Sequence, residues 1–174
     1  MSSLQKFHRR TNAGVPAVVS PFTTLGSGSD TVGFWLGDIA TNRLVVAPKS
    51  TETLINWGSY GTARGTTSTT NGLSNTNTLV SFGQAAHPAA YYAKNLTTGG
   101  YNTWYLPAKD ELLQCFSNKS TTPFATSNQF VNGLTVSSSE DGRYNVWCYD
   151  FGGSAVTSSK YYNKTVRAVR RSTI

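Results

Sequence analysis

Residues 99–116 read Gly-Gly-Tyr-Asn-Thr-Trp-Tyr-Leu-Pro-Ala-Lys-Asp-Glu-Leu-Leu-Gln-Cys-Phe, and no other stretch restricts the fold as much. The paired glycines permit a turn, the aromatic run from Tyr101 to Leu106 is β-prone, and Pro107 halts a strand while pre-setting φ for a helix start. Glu111 then falls in the first helical turn, where the helix dipole favours a carboxylate, and Leu112, Leu113 and Phe116 line one face. The stretch is therefore a predicted strand-to-helix joint.

A chain of 174 residues is long enough for one domain with a substantial core. Apolar residues make up 38% and charged residues only 13%, which argues against disorder driven by charge and predicts a polar, weakly charged surface. The net charge of +7 is concentrated at the two ends of the sequence, in Lys6, Arg9 and Arg10 and again in Lys160, Lys164, Arg167, Arg170 and Arg171. Such an excess favours encounter with polyanions, whether nucleic acid, acidic glycan or an acidic protein, without choosing among them. The basic start has no apolar segment behind it, so a secretory signal is not expected, and no apolar run reaches the length of a membrane span. The expectation is a soluble chain made in a cytoplasm. Cys115 and Cys148 are too few for a disulfide framework or a four-thiol zinc site and are expected to be free, buried thiols.

Taken in order, residues 1–32 read as an arm before the domain of residues 33–174, either loose or docked on something else. Residues 33–40 and 43–47 are β-prone runs separated by Thr41-Asn42, the signature of a tight hairpin. A short strand over 54–57 is followed by residues 58–77, almost wholly Gly, Ser, Thr and Asn, which predict a long surface loop. Residues 77–82 and 87–96 read as helix, with Pro88 suited to a first helical position. Phe124 and Phe130 are expected to pin a polar loop to the core, and residues 140–143 to form a turn around Gly142. In the strand over 144–151, Trp147, Tyr149 and Phe151 share one face and Val146, Cys148 and Asp150 the other. The last strand places an arginine on each face, so one arginine should be tucked against the domain and paired.

Five blocks now carry a family resemblance: Ile55-Asn56-Trp57-Gly58; the run from Gly99 to Pro107 with Lys109-Asp110-Glu111-Leu112; Ser137-Ser138-Ser139-Glu140; Trp147 with Asp150-Phe151; and Val166-Arg167-Ala168-Val169-Arg170. In this order and spacing the chain resembles the C-terminal domain of collagen-like bacterial adhesins, a C-type-lectin-like domain that also occurs in bacteriophage virion proteins. The resemblance spans roughly residues 33–171 and implies an α+β fold of two helices with short, twisted, mostly antiparallel strands and long loops. It also implies a binding module, held on an assembly by one end and meeting a host-surface glycan or protein with the other. Homotrimers are common among displayed modules of this sort. One position departs from the family pattern. Ser or Thr usually follows the Leu-Pro and caps the helix, whereas this chain has Ala108, a loss of about 0.5–2 kcal/mol unless another group bonds the free amides.

The sequence lacks a His-based triad, a Gly-x-Ser-x-Gly elbow and a phosphate loop, so no catalytic residues are assigned. The eight acids are scattered and the sugar-binding calcium signatures are missing, so neither a metal nor a cofactor is expected. Binding fits the composition better. Residues 137–163 combine Ser, Gly, Asn and Tyr in the manner of antibody paratopes, and Arg143, Tyr144, Asn145, Lys160, Tyr161, Tyr162 and Asn163 are the candidate ligand-binding set. Lys6, Phe7, Arg9 and Arg10 are the candidate anchor to other virion proteins. The expected role is a bacteriophage virion-surface protein for host attachment; the rival is a tail or capsid decoration protein that cements its neighbours without a ligand. Nucleic acid is disfavoured as a partner, because Arg167 and Arg170 should point to opposite faces. Deleting residues 1–30 is expected to leave the thermal transition of the domain intact while abolishing its incorporation into particles, and loss of folding would refute an anchoring arm.

Overall fold

A computed structural model describes residues 33–39, 42–120, 129–130 and 133–173. The arm with Lys6, Phe7, Arg9 and Arg10, and also Phe124, lie outside the described residues. Among the described residues the architecture is α+β: a three-stranded and a five-stranded sheet with three α-helices.

Strands β1 (Phe34–Ile39) and β2 (Asn42–Val46) form the expected antiparallel hairpin, with an irregularity between Trp35 and Asp38 where Gly37 adopts positive φ. The chain's last strand, β8 (Val169–Thr173), pairs antiparallel on the other side of β2 and completes the smaller sheet. The larger sheet runs in the order β3 (Thr53–Asn56), β7 (Asn163–Val166), β4 (Leu134–Asp141), β5 (Asn145–Asp150), β6 (Ala155–Ser159). All its pairings are antiparallel except β4 with β7, which meet in parallel at Thr135 and Thr165.

The helices correct the two-helix expectation. Residues 77–96 hold parts of two helices, α1 (Gly72–Val80) and α2 (Pro88–Lys94), broken where Gly83 takes positive φ and Pro88 lacks an amide hydrogen. Helix α1 also begins inside the stretch that composition assigns to a surface loop. Its Ser, Asn and Thr are weak helix formers, but tertiary bonds override propensity. Asn71 caps the helix by accepting from Ser74 N at 3.0 Å, Asn75 donates to Ser68 O at 2.7 Å, and Thr76 Oγ1 bonds both the amide and the carbonyl of Leu106. Gly72 is required for this approach: a Cβ there would run into Leu106 O, Ala108 N and the Glu111 carboxylate. Helix α3 (Lys109–Ser117) follows Pro107 as expected, except that its inner face is Leu112 and Cys115, while Leu113 points outward at 44% exposure.

Two apolar clusters fill the interior. The first gathers Trp57, Leu79, Ala89, Ala93, Val136, Val146 and Val166 where α1 and α2 cover the larger sheet. The second gathers Leu36, Leu44, Val46, Leu112, Cys115, Tyr149 and Phe151 between the smaller sheet, α3 and the opposite face of β5. Phe130 stacks on Phe151 at 3.7 Å between ring centroids, so this half of the expected aromatic pin is present. The joint connects the two clusters, because Trp104 and Leu106 belong to the first and Tyr105 to the second. As a strand the joint is minimal: Tyr105 and Val169 exchange backbone bonds of 2.8 and 3.0 Å in a single antiparallel bridge.

The Ala108 gap is closed by neighbours. Glu111 reaches back to accept Ala108 N at 2.8 Å, Ser139 Oγ accepts Lys109 N at 2.9 Å, and Thr69 O accepts Asp110 N at 2.8 Å. A hydroxyl from β4 and the Thr69 carbonyl thus take first-turn amides that the Ala108 side chain cannot. Ser139→Ala is expected to cost about 0.5–2 kcal/mol, seen in urea unfolding as a lower midpoint at unchanged slope.

Candidate functional site

At one end of the larger sheet, three connections bring tyrosines together. Tyr144 follows Arg143 in the β4–β5 turn, where Gly142 adopts positive φ, Tyr161 and Tyr162 sit in the β6–β7 turn, and Tyr60 comes from the loop after β3. Ring centroids lie 5.1 Å apart for Tyr60 and Tyr144, 6.4 Å for Tyr60 and Tyr161, and 5.6 Å for Tyr161 and Tyr162. Tyr161 and Tyr162 are 71% and 65% exposed, which leaves their faces open to a ligand. Arg143 is exposed, its guanidinium 5.9 Å from the Tyr144 ring. Beside the rings lies a cleft of about 370 Å³ lined by Asn56, Tyr161, Tyr162 and Asn163.

Of the sequence-predicted set, Arg143, Tyr144, Tyr161, Tyr162 and Asn163 are therefore found at this surface. Asn145 is half-buried at the start of β5 and does not line the cleft. Lys160 is a correction: it is fully buried and cannot bond a ligand from solvent. Tyr60 and Asn56 are additions. The signal for Tyr60 was an aromatic residue alone among Gly, Ser and Thr, a place where a large ring needs a partner.

Lys160 instead holds the base of the site together. Its ammonium bonds Glu140 Oε1 at 2.6 Å and Thr62 O at 3.0 Å, over the face of Trp57. Glu140 also accepts the amides of Arg64, at 2.9 Å to each oxygen, and of Thr66, at 3.1 Å. Burial alone would raise the Glu140 pKa, but the Lys160 ammonium and these amides outweigh it and hold the carboxyl below its ordinary value. Glu140 is thus a buried strand residue rather than part of a turn, which also separates it from exposed Asp141. From the same loop Arg64 donates Nε to His87 Nε2 at 3.1 Å and stacks on Phe82. Burial, with help from the Arg64 charge, pushes the His87 pKa down to about 4. Three backbone bonds transmit this base to the rings: Gly61 N to Arg143 O, Lys160 N to Tyr144 O, and Trp57 N to Lys160 O.

The other chemistry-bearing side chains are also held in structural contacts. Cys115 and Cys148 are free and buried, as expected, and burial pushes the Cys148 thiol up to about 12 and Cys115 further still, so both stay protonated at neutral pH. Among the described residues, no group of three His, Cys, Asp or Glu could hold a metal ion, and no helix is long and apolar enough to cross a membrane. The C-terminal basic run is not a surface patch. Lys164 bonds the Ser159 and Tyr162 carbonyls, Arg167 bonds Ala47 O and Glu52, Arg170 lies 3.6 Å over the Tyr101 ring, and Arg171 reaches Glu111 at 2.8 Å. More than one arginine is tucked in because β7 and β8 belong to different sheets, so both faces of the run meet protein. Comparison with protein-family models and with curated proteins finds no match to this chain.

Glu140→Gln is expected to destabilise the domain by about 3–5 kcal/mol, because it leaves the buried Lys160 charge unpaired. The pH dependence follows from the two depressed pKa values. Unfolded His87 takes up a proton near 6.5 and folded His87 only near 4, so stability is full above 6.5 and declines as pH falls toward 4. The Glu140 contribution has the same sign and is lost at still lower pH, as the carboxyl is protonated through its folded pKa. A melting-temperature series between pH 7 and 4 is expected to slope downward, and His87→Gln to flatten it whatever its effect at neutral pH.

Proposed function

We propose that the domain is a binding module that attaches to a host-surface glycan through the patch of Tyr60, Tyr144, Tyr161 and Tyr162. The observation that carries this reading is four exposed phenol rings in mutual contact on a base fixed by a buried ion pair. Tyrosine offers a flat apolar face that stacks on the C–H face of a pyranose and a hydroxyl that bonds its edge, at a small cost in side-chain entropy. The adjoining cleft supplies two amides, from Asn56 and Asn163, for the equatorial hydroxyls. Arg143 is an exposed donor at the edge of the patch, placed to bond ring or hydroxyl oxygens of a sugar.

The resemblance to C-type-lectin-like domains of collagen-like adhesins and virion proteins supports display on a bacteriophage particle, with residues 1–32 as the attachment to other virion proteins. On this reading the chain acts by binding and not by catalysis. The decoration reading differs in requiring no free ligand face, and the solvent-facing tyrosines favour attachment over it.

Replacing Tyr161 and Tyr162 together by Ala is expected to weaken binding on a glycan array, and host adsorption, by at least ~10-fold, on the scale of about 1.4 kcal/mol per decade. The fold should be retained, since both side chains lie outside the core. Raising the salt concentration should change the wild-type signal little, because stacking is not screened. Unchanged adsorption by the double variant, with particles intact, would favour the decoration reading instead.

A further inference from the structure

A second cleft, also of about 370 Å³, lies where helix α2 passes strand β3. Its wall includes Ile55, Gln84, Tyr91, Tyr92, Asn95 and Thr97. Both clefts fall within the ~300–1,000 Å³ of small-ligand sites, and they share one chemistry: tyrosine rings beside carboxamides. Neither is lined by a charged side chain, although the chain carries a net +7. Walls without cations on a basic protein are poorly suited to an anion, whereas amides, hydroxyls and ring faces match the alternating polar edge and C–H face of a neutral sugar. One ring of the α2 cleft is already fixed, since Tyr92 donates its hydroxyl to Thr51 O at 2.7 Å.

The two clefts meet at β3. Ile55 lines one and Asn56, the next residue, lines the other, so their Cα atoms are ~3.8 Å apart and their side chains point to opposite faces of the strand. Among the described residues, strand β3 is an edge strand paired with β7, and no other described strand lies between the clefts along that edge. Leu54, two residues before Asn56 and therefore on its face, is 69% exposed and extends an apolar shelf from the tyrosine cleft.

We propose that the ligand is an extended, neutral polysaccharide built of all-equatorial pyranoses, and that one chain occupies both clefts by crossing the edge of β3 that faces away from β7. This rests on the glycan-binding reading of the tyrosine patch and adds to it a second contact region, on Tyr91 and Asn95. Recognition is then of internal stretches of a polymer rather than of a terminal sugar. Two weak subsites joined by one chain gain affinity because the second contact is intramolecular once the first has formed.

The test uses the full chain and two ladders of oligosaccharide, β-1,4-linked glucose and β-1,4-linked N-acetylglucosamine, each from monosaccharide to hexasaccharide. Binding is followed by calorimetry and by amide chemical shifts. Affinity in at least one ladder is expected to rise ~10-fold or more once the chain is long enough to leave the first cleft, with shifts appearing at Asn95 and Thr97 at that length. Tyr91→Ala with Asn95→Ala should remove the length-dependent gain and leave the short members unaffected. Asn95→Ala alone, a change at an exposed position, should remove part of it should the double variant fail to fold. Equal affinity for short and long members, or a double variant that binds the hexasaccharide as tightly as wild type, would overturn the two-cleft path while leaving the tyrosine patch standing. If the Tyr161→Ala and Tyr162→Ala variant kept full affinity for the short members, the patch reading itself would fail, and if neither ladder bound, both would.

Discussion

The contact between Glu140 and Lys160 is the constraint on which the tyrosine-bearing end of this domain depends. Two opposite charges removed from water are tolerable only when their geometry is good and their remaining bonding capacity is used. Both conditions are met, since the carboxylate also takes two backbone amides and the ammonium also takes a backbone carbonyl. Three pieces of chain distant in sequence, the loop of residues 62–66, strand β4 and the β6–β7 turn, are brought to one point. None of them can leave without stranding a charge. Tyr60 lies just before that loop, Tyr144 in the turn that follows β4 and Tyr161 next to Lys160, so the ion pair ties together the segments that carry the rings.

The same economy governs the basic C-terminal sequence. A run of five cations within residues 160–171 reads as an electrostatic surface, yet the structure turns most of it inward. Each buried cation meets either a carboxylate, as Arg167 does at Glu52 and Lys160 at Glu140, or carbonyls and ring faces, as Lys164 and Arg170 do. Burial lowers the Arg167 pKa to about 10, which still leaves it charged at neutral pH. These residues hold crossings between sheets and loops. Most of them are buried, so this run offers no continuous exposed cationic patch to a polyanion.

The α+β class, the β1–β2 hairpin, the start of α3 and the alternation of β5 were legible because each rests on local chemistry: turn residues, a proline, period-two patterning. Helix α1 was legible only at its end, residues 77–80; its start was not, since Ser, Thr and Asn have no helical preference and Asn75 and Thr76 are held in part by bonds to residues 30 or more positions away. The cap on α3 was hidden for the same reason, because Ser139 is distant in sequence from Lys109. At the site, tyrosines beside turns could be read as exposed from their neighbours alone. Lys160 could not be assigned to the interior without knowing that Glu140 faces it, and the contribution of Tyr60 needed the fold of its loop. Pairings between distant residues carry no local signature.

Strands β2 and β5 and the joint at residues 104–106 each place alternate side chains in both apolar clusters: Val45 against Leu44 and Val46, Val146 and Cys148 against Tyr149, Trp104 and Leu106 against Tyr105. A wall shared in this way cannot lose its packing on one side and keep it on the other. The two halves are therefore one cooperative unit, with no seam at which partial opening could begin. A pull applied at the tyrosine-bearing end is borne by the whole domain rather than by its weakest layer.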